Sequence, residues 1–349
     1  MTARLSLGDS RTQISRHVHG TLNGRDVHRF VLRNAAGWIV EVSEYGATVL
    51  KVEVPNHEGR LENVCFGFST LDEYTSDSMY AGRVVGRVAN RIRRGTFQVG
   101  NETFQLPINH GEHVLHGGEE GLHQACFHGE IIEEKDDQVL RLTYFSPSGE
   151  SGFPGEVEIE VDYSWKGDGT LSVEMRGKPG RETPLNFTHH PYWNLSGSFE
   201  NSIDAHNLQV VSSDFAVVDS ELVPTGETAS CRLTPMDFRY RRSIGHALPL
   251  LESGGYDHCL VLDRQADGLM QAAHLLEPES GRNMTIWTNQ RGLQLYTTDS
   301  LPGCAGGAIC LEPQAPPGAL HFPELGSLMV RAGEVYVHKI LYCFFDTPV

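Results

Sequence analysis

Val157-Glu158-Ile159-Glu160-Val161-Asp162-Tyr163-Ser164-Trp165 alternates apolar and polar residues at every step. A side-chain period of two marks a β-strand with one buried and one wet face. The same period recurs on both sides of this stretch. Upstream, Trp38, Val40 and Val42 alternate, and so do Leu140, Leu142 and Tyr144. Phe97 and Val99 lead into Gly100-Asn101 and out through Phe104 and Leu106, which reads as a hairpin. Downstream come Leu171, Val173 and Met175, then Leu293 and Leu295, then a β-rich run from Val335 to Phe345. Helical periodicity is confined to two short candidates, Leu71 to Asp77 and His246 to Ser253. Many strands with Gly/Pro turns predict an all-β sandwich or barrel. A small closed barrel needs fewer strands, so one large, twisted β-sandwich with few short helices is expected. No linker, low-complexity segment or short repeat divides the chain, and residues 1–349 read as a single domain.

The bulk properties narrow the partners. The chain has 349 residues, enough for a large core, with 37 glycines and 17 prolines in keeping with many turns. Its formal net charge of -17 argues against a nucleic-acid surface and against an anionic membrane. The seven cysteines, at 65, 126, 231, 259, 304, 310 and 343, are scattered and show no C-x-x-C pair. They read as reduced intracellular thiols. Met1 to Gly20 is polar, without the apolar core of a signal peptide, and no apolar run is long enough to span a bilayer. The expected location is the cytoplasm. Asn101-Glu102-Thr103 and Asn186-Phe187-Thr188 match the glycosylation pattern, which carries little weight without a secretion signal.

Leu185-Asn186-Phe187-Thr188-His189-His190-Pro191-Tyr192-Trp193-Asn194-Leu195 is the densest chemical stretch, set between the strand at Leu171 to Met175 and a turn at Ser196-Gly197-Ser198. It packs two histidines, three aromatic rings and two amides together. Histidine brings a proton that moves near neutral pH. Aromatic faces and amide edges suit a ligand that is apolar on its C–H face and hydroxylated at its rim, such as a sugar. A buried His and Trp satisfied inside a loop is the competing reading.

Other segments add donors and a carboxylate. Gly86-Arg87-Val88-Ala89-Asn90-Arg91-Ile92 lacks the Lys-Ser/Thr and the helix of a phosphate loop. Asn90 and Arg91 instead set several fixed donors side by side, suited to the oxygens of a neutral sugar. The nearby Arg83, Arg87, Arg93 and Arg94 read as solvated. His110, His113 and His116 invite a metal by their spacing, but the segment is non-helical and contains glycine, so the rings need not converge. His116 followed by Gly117-Gly118 reads as a ring at a pocket edge, where glycine lets the backbone approach a ligand. Gly152-Phe153-Pro154-Gly155 is a tight turn. Asp257, in Gly255-Tyr256-Asp257-His258, either accepts hydrogen bonds from a sugar or caps its turn. Gln294 points to the face opposite Leu293 and Leu295. Glu312, at the end of the apolar strand Ile309-Cys310-Leu311, is costly to bury unless paired or functional, which makes it the leading general-base candidate.

Taken together these segments resemble the galactose mutarotase (aldose 1-epimerase) family. Gly86 to Ile92 matches its Asn-Arg motif and Leu115-His116-Gly117-Gly118 its first-histidine motif. Leu185 to Leu195 resembles its Asn-x-Thr-Asn-His-x-Tyr-Phe-Asn-Leu signature, with His189 in place of the Asn before the signature histidine and Trp193 in place of Phe. Gly255 to His258, Gln294 and Leu311-Glu312-Pro313-Gln314 follow in the family's order, and the similarity runs from about Gly37 to Glu334. The resemblance implies an antiparallel many-stranded β-sandwich with a sugar groove on one sheet. It implies epimerisation of free aldoses such as galactose and glucose, without cofactor or metal, by a monomer or homodimer. In that reading Glu312 removes the C1 hydroxyl proton, His190 protonates the ring oxygen, and His116 hydrogen-bonds the sugar. Asn90, Arg91, Asp257 and Gln294 hold the hydroxyls. Free side-chain pKa values of about 4.3 and about 6.5 would make Glu312 a ready base and His190 an acid. The rival readings are a hexose-6-phosphate 1-epimerase, which needs a basic cluster, and a sugar-binding module without catalysis. A glycoside hydrolase would need two carboxylates at the bond and would leave the histidines without a role.

Overall fold

Val157–Trp165 forms a strand, third in a nine-stranded antiparallel sheet of a computed structural model that describes residues 11–134, 137–251, 254–263, 268–299 and 301–344. In spatial order that sheet runs His128–Glu134, Asp137–Ser146, Val157–Trp165, Thr170–Pro179, Tyr336–Cys343, Asn283–Thr288, Met270–Leu276, Asn207–Val210 and Arg242–Ser243. Val157, Ile159, Val161, Tyr163 and Trp165 are buried, as their alternation requires. The opposite face is less wet than the sequence implied. Asp162 is only 8% exposed. Arg141, its direct cross-strand partner, grips it through Nε at 2.8 Å and a second nitrogen at 2.7 Å, and Arg176 adds a contact at 2.8 Å. Paired arginines shield the carboxylate from water while satisfying its oxygens.

A six-stranded antiparallel sheet runs Tyr192–Trp193, Ala308–Gln314, Gly292–Thr298, Asp257–Leu262, Ser212–Val218 and Pro224–Ser230. A five-stranded sheet forms from Gln13–Leu22, Arg25–Arg33, Ile39–Ser43, Val49–Pro55 and Leu61–Asn63. All three sheets feed one core cluster. Leu260, Leu293, Leu295, Ile309 and Leu311 meet Leu140, Val161, Val173 and Ile340 there, with Phe30, Val40 and Val52 from the third sheet. Each such side chain contributes roughly 1.5–3 kcal/mol on burial. Strand parity then dictates what the outer face of the six-stranded sheet carries. Asp257, Cys259, Gln294, Tyr296, Cys310 and Glu312 all point away from that core, because successive side chains alternate in direction.

The helix expected at Leu71 to Asp77 forms as Leu71–Ser76. Thr70 and Glu73 close a capping box at its start, and Leu71 and Tyr74 are buried. The described part of His246 to Ser253 forms no α-helix. Two 3-10 turns, Ile244–His246 and Leu248–Leu250, stand there, and residues 252–253 lie outside the described residues. Pro249 lacks an N–H and disfavours helical backbone at the residue before it. The last β-rich run forms as Tyr336–Cys343, with Phe345 beyond the described residues.

Candidate active site

Glu312 and Gln294 sit directly opposite each other on neighbouring strands, on the outer face of the six-stranded sheet. The 185–195 segment is laid against the same strands by its own polar side chains. The Thr188 hydroxyl donates to the Pro313 carbonyl at 2.7 Å, and Asn186 accepts the Ala315 N–H at 2.9 Å. Tyr192 and Trp193 pair with Cys310 and Ile309, and the Asn194 amide donates to the carbonyls of Asn201 and Gly307. These groups are the satisfied loop residues of the competing reading, and their work is to position His190. The two family departures face the core rather than the cavity. His189 is fully buried with Nδ1 3.2 Å from the Tyr342 hydroxyl, and Trp193 packs on Tyr342 and Phe344.

The result is a cavity of about 230 Å³, lined among others by Tyr80, Asn90, Arg91, His116, His190, Asp257, Gln294 and Glu312. All seven residues expected from the sequence therefore share one cavity. His190 Nε2 lies 3.5 Å from Glu312 Oε1. Gln294 donates to Asp257 Oδ1 at 2.6 Å, and Arg91 stands 3.6 Å from the other Asp257 oxygen. Glu312 Oε2, Gln294 Oε1 and Arg91 Nε are buried without a hydrogen-bond partner. Unsatisfied polar atoms at one cavity wall are costly in the empty protein and are repaid by a hydroxylated ligand.

Burial changes the expected ionisation. It pushes the Glu312 carboxyl well above the usual range, with the Asp257 charge adding to the effect. It pulls His190 down to about 4 and His116 well below its ordinary value, the neighbouring His190 adding to the effect on His116. The picture of a carboxylate and an imidazolium at their free pKa values is thus corrected: desolvation favours the neutral form of each. A neutral carboxyl beside a neutral imidazole carries the same number of protons as the ion pair. The two differ only in where one proton sits.

Local backbone explains His116 and Asn90. Both adopt left-handed φ, 52° and 64°, and each holds the other: the His116 N–H donates to the Asn90 carbonyl at 3.2 Å, and the Asn90 N–H donates to His116 Nδ1 at 3.3 Å. With Nδ1 accepting, the neutral ring carries its proton on Nε2. Gly117 has to be glycine, since a Cβ there would lie 1.9 Å from the Gly86 carbonyl oxygen.

Two arginines expected to be solvated are buried. Arg83 pairs with Asp77 at 3.3 Å and donates to the Tyr74 and His123 carbonyls. Arg87 donates to Ser146 and to the carbonyls of Ser146, Pro147, Pro154 and Gly155, which pins the 152–155 turn. Planar, permanently charged donors are the side chains able to satisfy so many buried carbonyls at once. Arg93 is half-exposed and paired with Asp219 at 2.9 Å, and Arg94 is exposed. The histidine trio does not converge. His110 and His116 line the cavity, while His113 turns away, accepting the Arg94 N–H through Nδ1.

Sequence reasoning missed Tyr80, Tyr296 and Cys310 at the site. Tyr80 stacks edge-on to His116 at 4.7 Å. Cys310 Sγ lies 3.6 Å from His190 Nδ1. Parity carried a signal for two of them, because Cys310 and Tyr296 stand two residues from Glu312 and Gln294 on the same strands. Tyr80, in a turn, gave none.

The family model described as aldose 1-epimerase matches residues 28–343. The galactose mutarotase of Sus scrofa is 34% identical over 315 residues, 87% of this chain and 90% of that protein. That of Homo sapiens is 32% identical, over 95% of this chain and 98% of its own length. The solved structure of galactose 1-epimerase from Lactobacillus acidophilus superposes with a TM-score of 0.84 at 26% identity, over 96% of this chain and 99% of that one.

Proposed function

The chain belongs to the aldose 1-epimerase family and is an aldose 1-epimerase; from that premise we propose that Glu312 and His190 are its general base and general acid. Exchanging the anomers of a free aldose requires the C1 hydroxyl to lose a proton and the ring oxygen to gain one. The bond between C1 and the ring oxygen then breaks, leaving an aldehyde. Rotation about C1–C2 offers the other carbonyl face, and the same transfers in reverse close the ring. The observation that carries this reading is the 3.5 Å separation of His190 Nε2 and Glu312 Oε1 inside one cavity.

The reactive form is the ion pair, which bound sugar hydroxyls stabilise by donating hydrogen bonds to the Glu312 carboxylate. In ring opening Glu312 gains a proton and His190 gives one up, so the pair ends in the neutral form that burial favours. Desolvation therefore assists ring opening, and closure on either face restores the ion pair. His116 donates its Nε2–H to a sugar oxygen. Asn90, Arg91, Asp257 and Gln294 bind the remaining hydroxyls.

The substrates in this reading are free aldohexoses such as galactose and glucose; the names of the relatives support galactose and the aldose class. A phosphorylated hexose fits poorly: among the described residues Arg91 is the one Lys or Arg at the cavity wall, and Asp257 already faces it. The core shared by three sheets supports residues 1–349 as one domain. No helix among the described residues is long and apolar enough to cross a membrane. A cytoplasmic location is supported by the absence of disulfides among the seven cysteines.

Glu312→Gln tests the assignment. Optical rotation of freshly dissolved α-D-galactose should relax at least about 100-fold more slowly than with the unmodified protein. Near-normal catalysis would overturn the base role.

A further inference from the structure

His190, Cys310 and Glu312 offer a nitrogen, a sulfur and an oxygen that all lie within 4.8 Å of one another, from three buried side chains. Epimerisation uses the imidazole and the carboxylate and gives the thiol no task. Strand parity puts Cys310 on the face of Glu312, and its pairing with Tyr192 brings it under His190. Its Sγ is 3.6 Å from Nδ1 of that ring. Glu312 is 2% exposed, and its Oε2 has no partner.

Zinc binds imidazole nitrogen at about 2.0–2.1 Å, thiolate sulfur at about 2.3 Å and carboxylate oxygen at about 2.0–2.2 Å. Tetrahedral angles between such bonds put the ligand atoms roughly 3.3–3.6 Å apart. The separation of Nδ1 and sulfur already has that size; the carboxylate, which lies 3.5 Å from Nε2 of the same ring, has to swing toward Nδ1 by side-chain rotation to complete the set. Hard ions such as magnesium and calcium prefer oxygen ligands throughout, whereas a mixed nitrogen, sulfur and oxygen set favours zinc or cobalt. One thiolate and one carboxylate also cancel the charge of a divalent ion, which lowers the cost of burying it.

We propose that His190, Cys310 and Glu312 form a binding site for a borderline-soft divalent cation, zinc above all, whose occupation reversibly inhibits the epimerase. On binding, the Cys310 S–H bond breaks and the one proton shared by the Glu312–His190 pair is lost as well; both protons leave to solvent, and the sulfur lone pair and the carboxylate form their bonds to the ion. The ion withdraws the imidazole lone pair and the carboxylate from proton transfer. That the ion blocks turnover rests on the proposed reading of the cavity; that it binds does not.

Cobalt titration reads the site without any sugar. Adding Co²⁺ to the unmodified protein should produce a thiolate-to-cobalt charge-transfer absorption in the near ultraviolet, missing in Cys310→Ala and in Cys310→Ser. Thermal melts establish that each variant is folded, and serine keeps the side-chain volume if alanine does not fold. In polarimetry, Zn²⁺ should inhibit the unmodified protein, EDTA should restore it, and the inhibition constant should weaken at least about 10-fold in the folded variants. No charge-transfer band, a band that survives in both variants, or equal zinc sensitivity would each overturn the proposal. A band in a protein that does not epimerise free aldoses overturns the functional reading and supports the metal site.

Discussion

Nε2 of His190 and Oε1 of Glu312 lie 3.5 Å apart with both side chains nearly sealed from solvent. Burial dominates the titration of each group, and the Asp257 charge adds to it at Glu312. Removing either one removes one end of the proposed proton exchange. His190→Asn should lower kcat by about 100- to 10,000-fold. Folding should survive, because the ring nitrogens lie against two side chains, Cys310 Sγ at 3.6 Å and Glu312 Oε1 at 3.5 Å. Polarimetric kinetics beside a thermal melt check this, and unchanged turnover in a folded variant would remove His190 from the mechanism.

Asp257 is held by Gln294 at 2.6 Å and faces Arg91 at 3.6 Å. Asp257→Asn removes the charge and one acceptor from the group proposed to bind hydroxyls. Loss of a charged hydrogen bond costs about 1.5–3 kcal/mol, so kcat/KM should fall by roughly 10- to 150-fold. Initial rates across a galactose concentration series measure it. A KM within experimental error of the unmodified protein would place Asp257 outside substrate binding.

Arg87 satisfies four carbonyl oxygens and one hydroxyl inside the protein. Arg87→Met leaves those acceptors buried and unpaired, at roughly 3–5 kcal/mol. Denaturant unfolding should show the midpoint shifted sharply down. A surface position, which the sequence alone implied, would shift it by no more than about 0.5 kcal/mol.

Stability should depend on pH through buried histidines. His123, His189 and His338 are held down to about 3 and His206 to about 4, chiefly by burial. An unfolded histidine titrates near 6.5, so below that pH the unfolded chain binds more protons than the folded one. The stability is fully present above about pH 6.5 and is lost as the pH falls toward about 3 to 4. Each group contributes roughly 1.4 kcal/mol per pH unit across that window. The melting temperature should hold steady from about pH 8 to about pH 7 and drop steeply between about pH 6 and about pH 5. A flat profile across that range would show that these rings are not neutral by burial.

Much of this was legible in the chain. Period-two alternation in Val157 to Trp165 is a local property, because neighbouring side chains of a strand must point to opposite faces. It marked the strands, and the apolar run Ile309-Cys310-Leu311 ending in Glu312 marked a carboxylate that is costly to bury unless paired or functional. The short motifs named Asn90, Arg91, His116, His190, Asp257, Gln294 and Glu312. The helix at Leu71 to Asp77 was anticipated from its periodicity, whereas among the described residues the one anticipated near Pro249 was not there.

Three matters were decided only when the chain closed on itself. The burial of Arg83 and Arg87 depends on carbonyls from distant turns, which no local pattern encodes. So does the fate of Asp162, sealed by arginines on two neighbouring strands. The protonation of the pair proposed to be catalytic is the third: residue type fixes a free pKa, but desolvation is a property of everything packed around the group. The sequence by itself determined which residues alternate and which carry chemistry, because both are written residue by residue. Tertiary structure alone decided that His190, Cys310 and Glu312 meet, since that meeting requires Thr188 and Asn186 to fasten one segment onto the strand of another.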